Sequence, residues 1–93
     1  MTYRIEIKES ARKALRGLPS GDQRRIAAKI DALATEPRPH GSTRLKGPED
    51  FLRIRVGDYR VIYQIEDDIL IVLVVRIAHR REGYRLRPST SDR

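Results

Sequence analysis

Between Leu52 and Ile77 the chain runs through three stretches of strand-like pattern with no room for a helix between them. Leu52 to Val56, Tyr59 to Glu66 and Ile69 to Ile77 are separated only by Gly57-Asp58 and by Asp67-Asp68, and breaks that short join antiparallel neighbours. A three-stranded meander is therefore the frame on which the rest must pack. Its last stretch is apolar at nearly every position, as suits a central strand covered on both faces or flanked by two neighbours.

The segment ahead of the meander supplies one more strand and two helices. Tyr3-Arg4-Ile5-Glu6-Ile7-Lys8 alternates strictly, placing Tyr3, Ile5 and Ile7 on one face of a half-buried strand. Ala11, Ala14, Leu15 and Leu18 recur at the spacing of one helical face, in a helix opened at Glu9 or Ser10 and closed by Gly17 to Pro19. Ser20-Gly21-Asp22-Gln23 has the form of a capping box and predicts a second helix beginning at Ser20. Ile26, Ala27, Ile30, Leu33 and Ala34 form its apolar face, and Pro37 stops it. The short link at Pro19-Ser20 makes the two helices an αα-hairpin. Pro37 to Ser42 reads as a connecting loop. The expected class is α+β: an N-terminal strand, an αα-hairpin and a three-stranded antiparallel meander, with the helices packed on one face of an antiparallel sheet. One domain over residues 1–87 is expected, followed by a flexible tail at 88–93.

A chain of 93 residues builds one core. It has no cysteine, which removes disulfides, thiolate metal sites and cysteine nucleophiles and fits a cytoplasmic setting. The N-terminal residues lack the apolar run of a signal peptide, and Ile69 to Val75 is far too short to span a bilayer. No membrane association is expected. Net charge is +7, which points to a polyanionic partner. Most of the 20 basic residues are arginines, whose planar fork binds phosphate bidentately and stacks on bases.

Strand alternation gathers several of these arginines. In Leu52-Arg53-Ile54-Arg55-Val56 the apolar residues face one way and Arg53 and Arg55 the other; in Tyr59 to Ile65 the core set is Tyr59, Val61, Tyr63 and Ile65, which sends Arg60 to the arginine side. Arg76, Ala78 and Arg80 share a side on the last strand, with His79, Arg81, Tyr84 and Arg85 close behind. Like charges so placed repel at a cost of roughly a few tenths to 1 kcal/mol per adjacent pair, which an anionic ligand would remove. Tyr3, Tyr59 and Tyr63 lie on the apolar phase and read as core. His40 reads as a solvated loop residue, and two histidines so far apart make a poor metal site. No phosphate-cradling glycine loop and no Ser/His/Asp arrangement is present.

Three segments together resemble the RelE branch of the RelE/ParE superfamily of bacterial and archaeal toxins: Leu45-Lys46-Gly47, the run from Phe51 through Gly57-Asp58-Tyr59-Arg60 to Tyr63, and His79-Arg80-Arg81-Glu82-Gly83-Tyr84-Arg85. The resemblance extends from Tyr3 to Arg85 in element order as well as motif. It implies a messenger-RNA interferase acting in the ribosomal A site, silenced by a cognate RelB-like antitoxin in a hetero-oligomer. By motif it carries functional roles onto Arg53, Arg55, Arg60, Arg80 and Tyr84. Metal-free RNA cleavage uses the 2′-hydroxyl against the adjacent phosphate, so a protein must assist its deprotonation, stabilise the phosphorane and protonate the leaving 5′-oxygen. Arg60 and Arg80 suit phosphorane stabilisation, because they stay cationic and donate in pairs. Tyr84 can stack on a base, orient the nucleophile or transfer a proton if cations lower its pKa. Lys46, Arg81 and Arg85 are expected to bind RNA. No cofactor and no metal is called for.

The most familiar pattern of that branch has lysines where this chain has Arg53 and Arg55; an arginine cannot give up its proton at physiological pH, so these two are read as phosphate-binding groups. His79 has the reference pKa of a base, but alternation points it away from Arg80, which favours a structural role. The competing readings are a ParE-like toxin on the same scaffold that inhibits DNA gyrase without nuclease activity, and a plain nucleic-acid-binding module.

Overall fold

The computed structural model describes residues 2–47 and 50–79. Strand β1 (Arg4–Ile7) leads into helices α1 (Glu9–Arg16) and α2 (Ser20–Ala32), and strands β2 (Thr43–Arg44), β3 (Leu52–Val56), β4 (Tyr59–Glu66) and β5 (Ile71–His79) follow. The five strands form one sheet in the order β1-β5-β4-β3-β2. The meander runs as the alternation requires: Gly57, at φ 61°, supplies the positive φ that a tight two-residue hairpin needs at its first central position. The 1–87 boundary and the 88–93 tail fall among residues outside those described.

The sheet differs from the expected one in three respects. It is not wholly antiparallel, because β1 pairs with β5 in parallel register, Ile5 opposite Val72 and Ile7 opposite Val74. Local alternation carries no information about which partner a strand finds. Thr43 and Arg44, just past the expected connector and assigned to no strand, pair with Arg53 and Leu52 as a short edge strand. Finally, β5 begins at Ile71, while Ile69 and Leu70 belong to the turn; Leu70 adopts φ 54° and Ile69 is 63% exposed.

The register of β4 and β5 slips between Ile62, opposite Arg76, and Tyr63, opposite Val74. Val75 is thus an extra residue on β5, and it reverses the strand's phase. On one side of the bulge Ile77 faces the helices; on the other, Val72 and Val74 do, each 0% exposed. An uninterrupted strand would have buried Leu73 and Val75 instead.

The helices cover one side of the sheet. Ala11 from α1 and Ile26, Ile30 and Leu33 from α2 pack against Ile54, Val56, Val61, Tyr63, Val72, Val74 and Ile77. No capping box forms at the start of α2. Ser20 is the first helical residue, Pro19 occupies the cap position, and the Gln23 amide donates to the carbonyls of Leu18 (2.8 Å) and Arg16 (3.2 Å). Carbonyls at the end of α1 lack helical donors, and Gln23 supplies them, tying the two helices together.

The connector between α2 and β2 is fastened at two points. The fully buried Tyr63 donates its hydroxyl to the Pro37 carbonyl (2.8 Å), and Arg38 pairs with Asp67 (2.9 Å) in the β4–β5 turn. Tyr3 also donates to Asp67 (2.7 Å). The Arg38 guanidinium first, and then the Tyr3 hydroxyl, hold the Asp67 carboxyl below the usual carboxylate range.

Two measurements check this packing. Ile30→Ala, at a site 2% exposed, should lower unfolding free energy by about 2–5 kcal/mol in urea denaturation. Asp67→Asn should be less stable than wild type at neutral pH. Because the folded-state pKa of Asp67 is depressed, that difference should hold above the ordinary carboxylate pKa of about 4 and vanish as pH falls through the lower folded value. Thermal unfolding between pH 7 and pH 2 reads it, and a pH-independent difference would contradict the ion pair.

Candidate RNA-binding face

On the side of the sheet away from the helices, cross-strand register lines up two rows of side chains. One row runs Thr43, Arg53, Ile62 and Arg76 across β2 to β5; the next runs Arg55, Arg60 and Ala78 across β3 to β5. Residues directly opposite in an antiparallel pair hold their Cβ atoms about 4.5–5.5 Å apart, so Arg55 and Arg60 are immediate neighbours of like charge. Period-two geometry therefore does bring Arg53, Arg55 and Arg60 together, and it adds Arg76.

This side is not uniformly open. Arg55 and Arg76 are exposed and Arg53 and Arg60 are half-buried. Between them Ile62 and Ala78 are each 3% exposed and lie outside the core cluster under the helices. The arginines thus alternate with an apolar floor, where low local polarizability strengthens their pull on an anion. Arg53, Arg55 and Arg60 line a cleft of about 180 Å³ together with Gly41 and Thr43.

The remaining expected positions separate clearly. Lys46 is exposed in the bend after β2 and does not line the cleft. His79, the last residue of β5, lies opposite Tyr59 and meets its ring edge-on, with centroids 5.1 Å apart. That is the helix-covered phase, so strand geometry gives His79 a packing role. Tyr59 donates to Asp22 (3.3 Å), and burial first, with the nearby Asp22 carboxylate, raises its pKa. Burial likewise raises Tyr63. His40 is exposed in the connector. Arg80, Arg81, Tyr84 and Arg85 lie outside the described residues.

Sequence reasoning missed Thr43 and Gly41 as parts of this face. A two-residue strand is too short to show a period, and a Gly-Ser-Thr stretch after prolines reads as loop. Only the pairing of Thr43 with Arg53 reveals its side.

The known proteins that this chain is similar to agree with this architecture. Residues 5–84 match the family described as ParE toxin of type II toxin-antitoxin system, parDE. Toxin RelE of Mycobacterium tuberculosis is 33% identical over 91 residues, covering 92% of this chain and 90% of that protein. The mRNA interferase toxin RelE of Escherichia coli is 28% identical over 85 residues, covering 89% and 88%. Among solved structures, the archaeal RelE-RelB complex from Pyrococcus horikoshii superposes with a TM-score of 0.78 at 34% identity, covering 89% of this chain and 100% of that one. The family match, the relatives and the shared fold together place this chain in the RelE/ParE family of type II toxin–antitoxin toxins, as a RelE-type member.

Proposed function

We propose that the chain is a cytoplasmic, ribosome-dependent mRNA endoribonuclease that cuts without a metal by 2′-hydroxyl attack on the scissile phosphate, and that a RelB-like antitoxin holds it inactive in a hetero-oligomer. The observation that carries the reading is the meeting of Arg53, Arg55 and Arg60, from two strands, around one cleft on the side opposite the helices. Among the described residues no helix is long and apolar enough to cross a membrane. A relative named as an mRNA interferase and a neighbour solved as a RelE-RelB complex support the substrate and the partner.

In this reading Arg53 and Arg55 bind the phosphates flanking the cut, and Arg60 with Arg80 stabilises the phosphorane through charge-assisted hydrogen bonds. Tyr84 stacks on a base or assists proton transfer, and Lys46, Arg81 and Arg85 bind the strand or the surrounding ribosomal RNA. His79 is given a structural role in this reading, since its ring packs edge-on against Tyr59 on the helix-covered phase of the sheet. Carboxylates of the antitoxin, laid over the arginines, would relieve the same repulsion that the RNA relieves.

A translating extract challenged with purified protein tests the reading. Wild type should cut mRNA at defined codon positions, and Arg80→Ala should lose roughly 10²–10³-fold in cleavage rate, the usual consequence of removing a transition-state donor. Arg55→Ala should lose roughly tenfold or more while its stability stays within about 0.5 kcal/mol of wild type, because the side chain is exposed. Full cleavage by both variants would refute the assigned roles. Inhibition of DNA supercoiling with intact mRNA would favour the ParE-like reading instead, which the family description keeps in view.

A further inference from the structure

Among the described residues, one stretch of the lining of the cleft on the arginine side carries no charge. Arg53, Arg55 and Arg60 share the cleft with Gly41 and Thr43. Pairing with Arg53 puts the Thr43 side chain on the arginine side of the sheet. Gly41 adopts φ 98°, a conformation that side-chain-bearing residues rarely take, so the lining there is backbone. This stretch is held in place before any ligand arrives. The Tyr63 hydroxyl fixes Pro37, the Ser42 amide donates to Pro39 (3.0 Å), Arg38 is paired with Asp67, and the Leu45 amide donates to Phe51 (2.9 Å) just beyond it.

Arginines only donate, and they meet the phosphates of RNA and DNA alike. The group that separates the two polymers is the ribose 2′-hydroxyl, at once donor and acceptor. Among the described residues lining the cleft, Thr43 is the one whose side chain is neutral and can both donate and accept. We propose that Thr43 is a substrate-contact residue: its hydroxyl exchanges a hydrogen bond with a ribose 2′-hydroxyl of the strand whose phosphates lie on Arg53, Arg55 and Arg60, and so gives the cleft its preference for RNA over DNA. This rests on the cleft being the RNA site.

The test is fluorescence anisotropy of labelled single-stranded RNA and DNA of one sequence, checked on gels to be intact, with wild type, Thr43→Val, Thr43→Ser and Arg55→Ala. Valine replaces the hydroxyl by a methyl of similar size and suits a strand. Wild type should favour RNA. Thr43→Val should lose about threefold to tenfold in RNA affinity, the worth of one hydrogen bond, with DNA affinity unchanged. Thr43→Ser should keep the wild-type preference. If wild type binds both strands equally, or Thr43→Val keeps the wild-type ratio, the role of Thr43 is overturned while the cleft stands. If wild type binds neither strand, or Arg55→Ala weakens neither, the cleft is not the RNA site and both proposals fall.

Discussion

The register between β4 and β5 decides which side chains the helices cover and which stand on the other side. Its slip at Ile62 and Tyr63 leaves Val75 as an extra residue and lets two differently phased halves of β5 serve one core. Val72 and Val74 are buried from one half and Ile77 from the other. Arg76 and Ala78 then fall in line with Arg53 and Arg60 instead of under the helices. Without the bulge, a strand phased correctly for Ile77 would have turned Val72 and Val74 away from the helices.

That register forces a consequence on the electrostatics. Arg55 and Arg60 stand directly opposite one another, with Arg53 and Arg76 in the adjacent row. Several acidic groups are committed elsewhere: Asp22 to Arg25 and Tyr59, Asp67 to Arg38 and Tyr3, Asp50 to Arg44. These pairs fasten helices, turns and the connector, and the exposed ones, Arg38 with Asp67 and Arg44 with Asp50, contribute modestly. Concentrated positive charge on one side and fastening ion pairs at the edges are two uses of the same residue types. The first fits a chain that meets a polyanion; the second keeps the meeting surface in shape, since the connector they hold supplies Gly41 and leads into Thr43 at the start of β2.

Much of this was legible in the residues alone. Strict alternation in Leu52 to Val56 and a glycine-first turn at Gly57-Asp58 specify the β3–β4 hairpin and, with it, the common side of Arg53, Arg55 and Arg60. The two helices follow from Ala11, Leu15, Ile26 and Ile30 at helical spacing. Where the residues were silent, the reasons are physical. The β5 segment is apolar on both phases, so neither its start at Ile71 nor its bulge leaves a trace in the pattern. Parallel pairing of β1 with β5 is a long-range choice that six alternating residues cannot express. Gln23 has the right chemistry for a capping box, yet the carbonyls of Arg16 and Leu18 lie within its reach and win. Thr43 becomes visible only when a two-residue strand finds its partner.

The claim at the centre is that arginines from separate strands act together on one RNA strand. NMR of the arginine Nε–Hε groups, during titration with a 2′-O-methylated single-stranded RNA that cannot be cut by 2′-hydroxyl attack, reads this most directly. Arg53, Arg55, Arg60 and Arg76 should shift together along one binding curve that weakens steeply with salt, while Arg12 and Arg24 on the helices stay still. Shifts confined to the helical arginines, or scattered over both sides of the sheet, would contradict it.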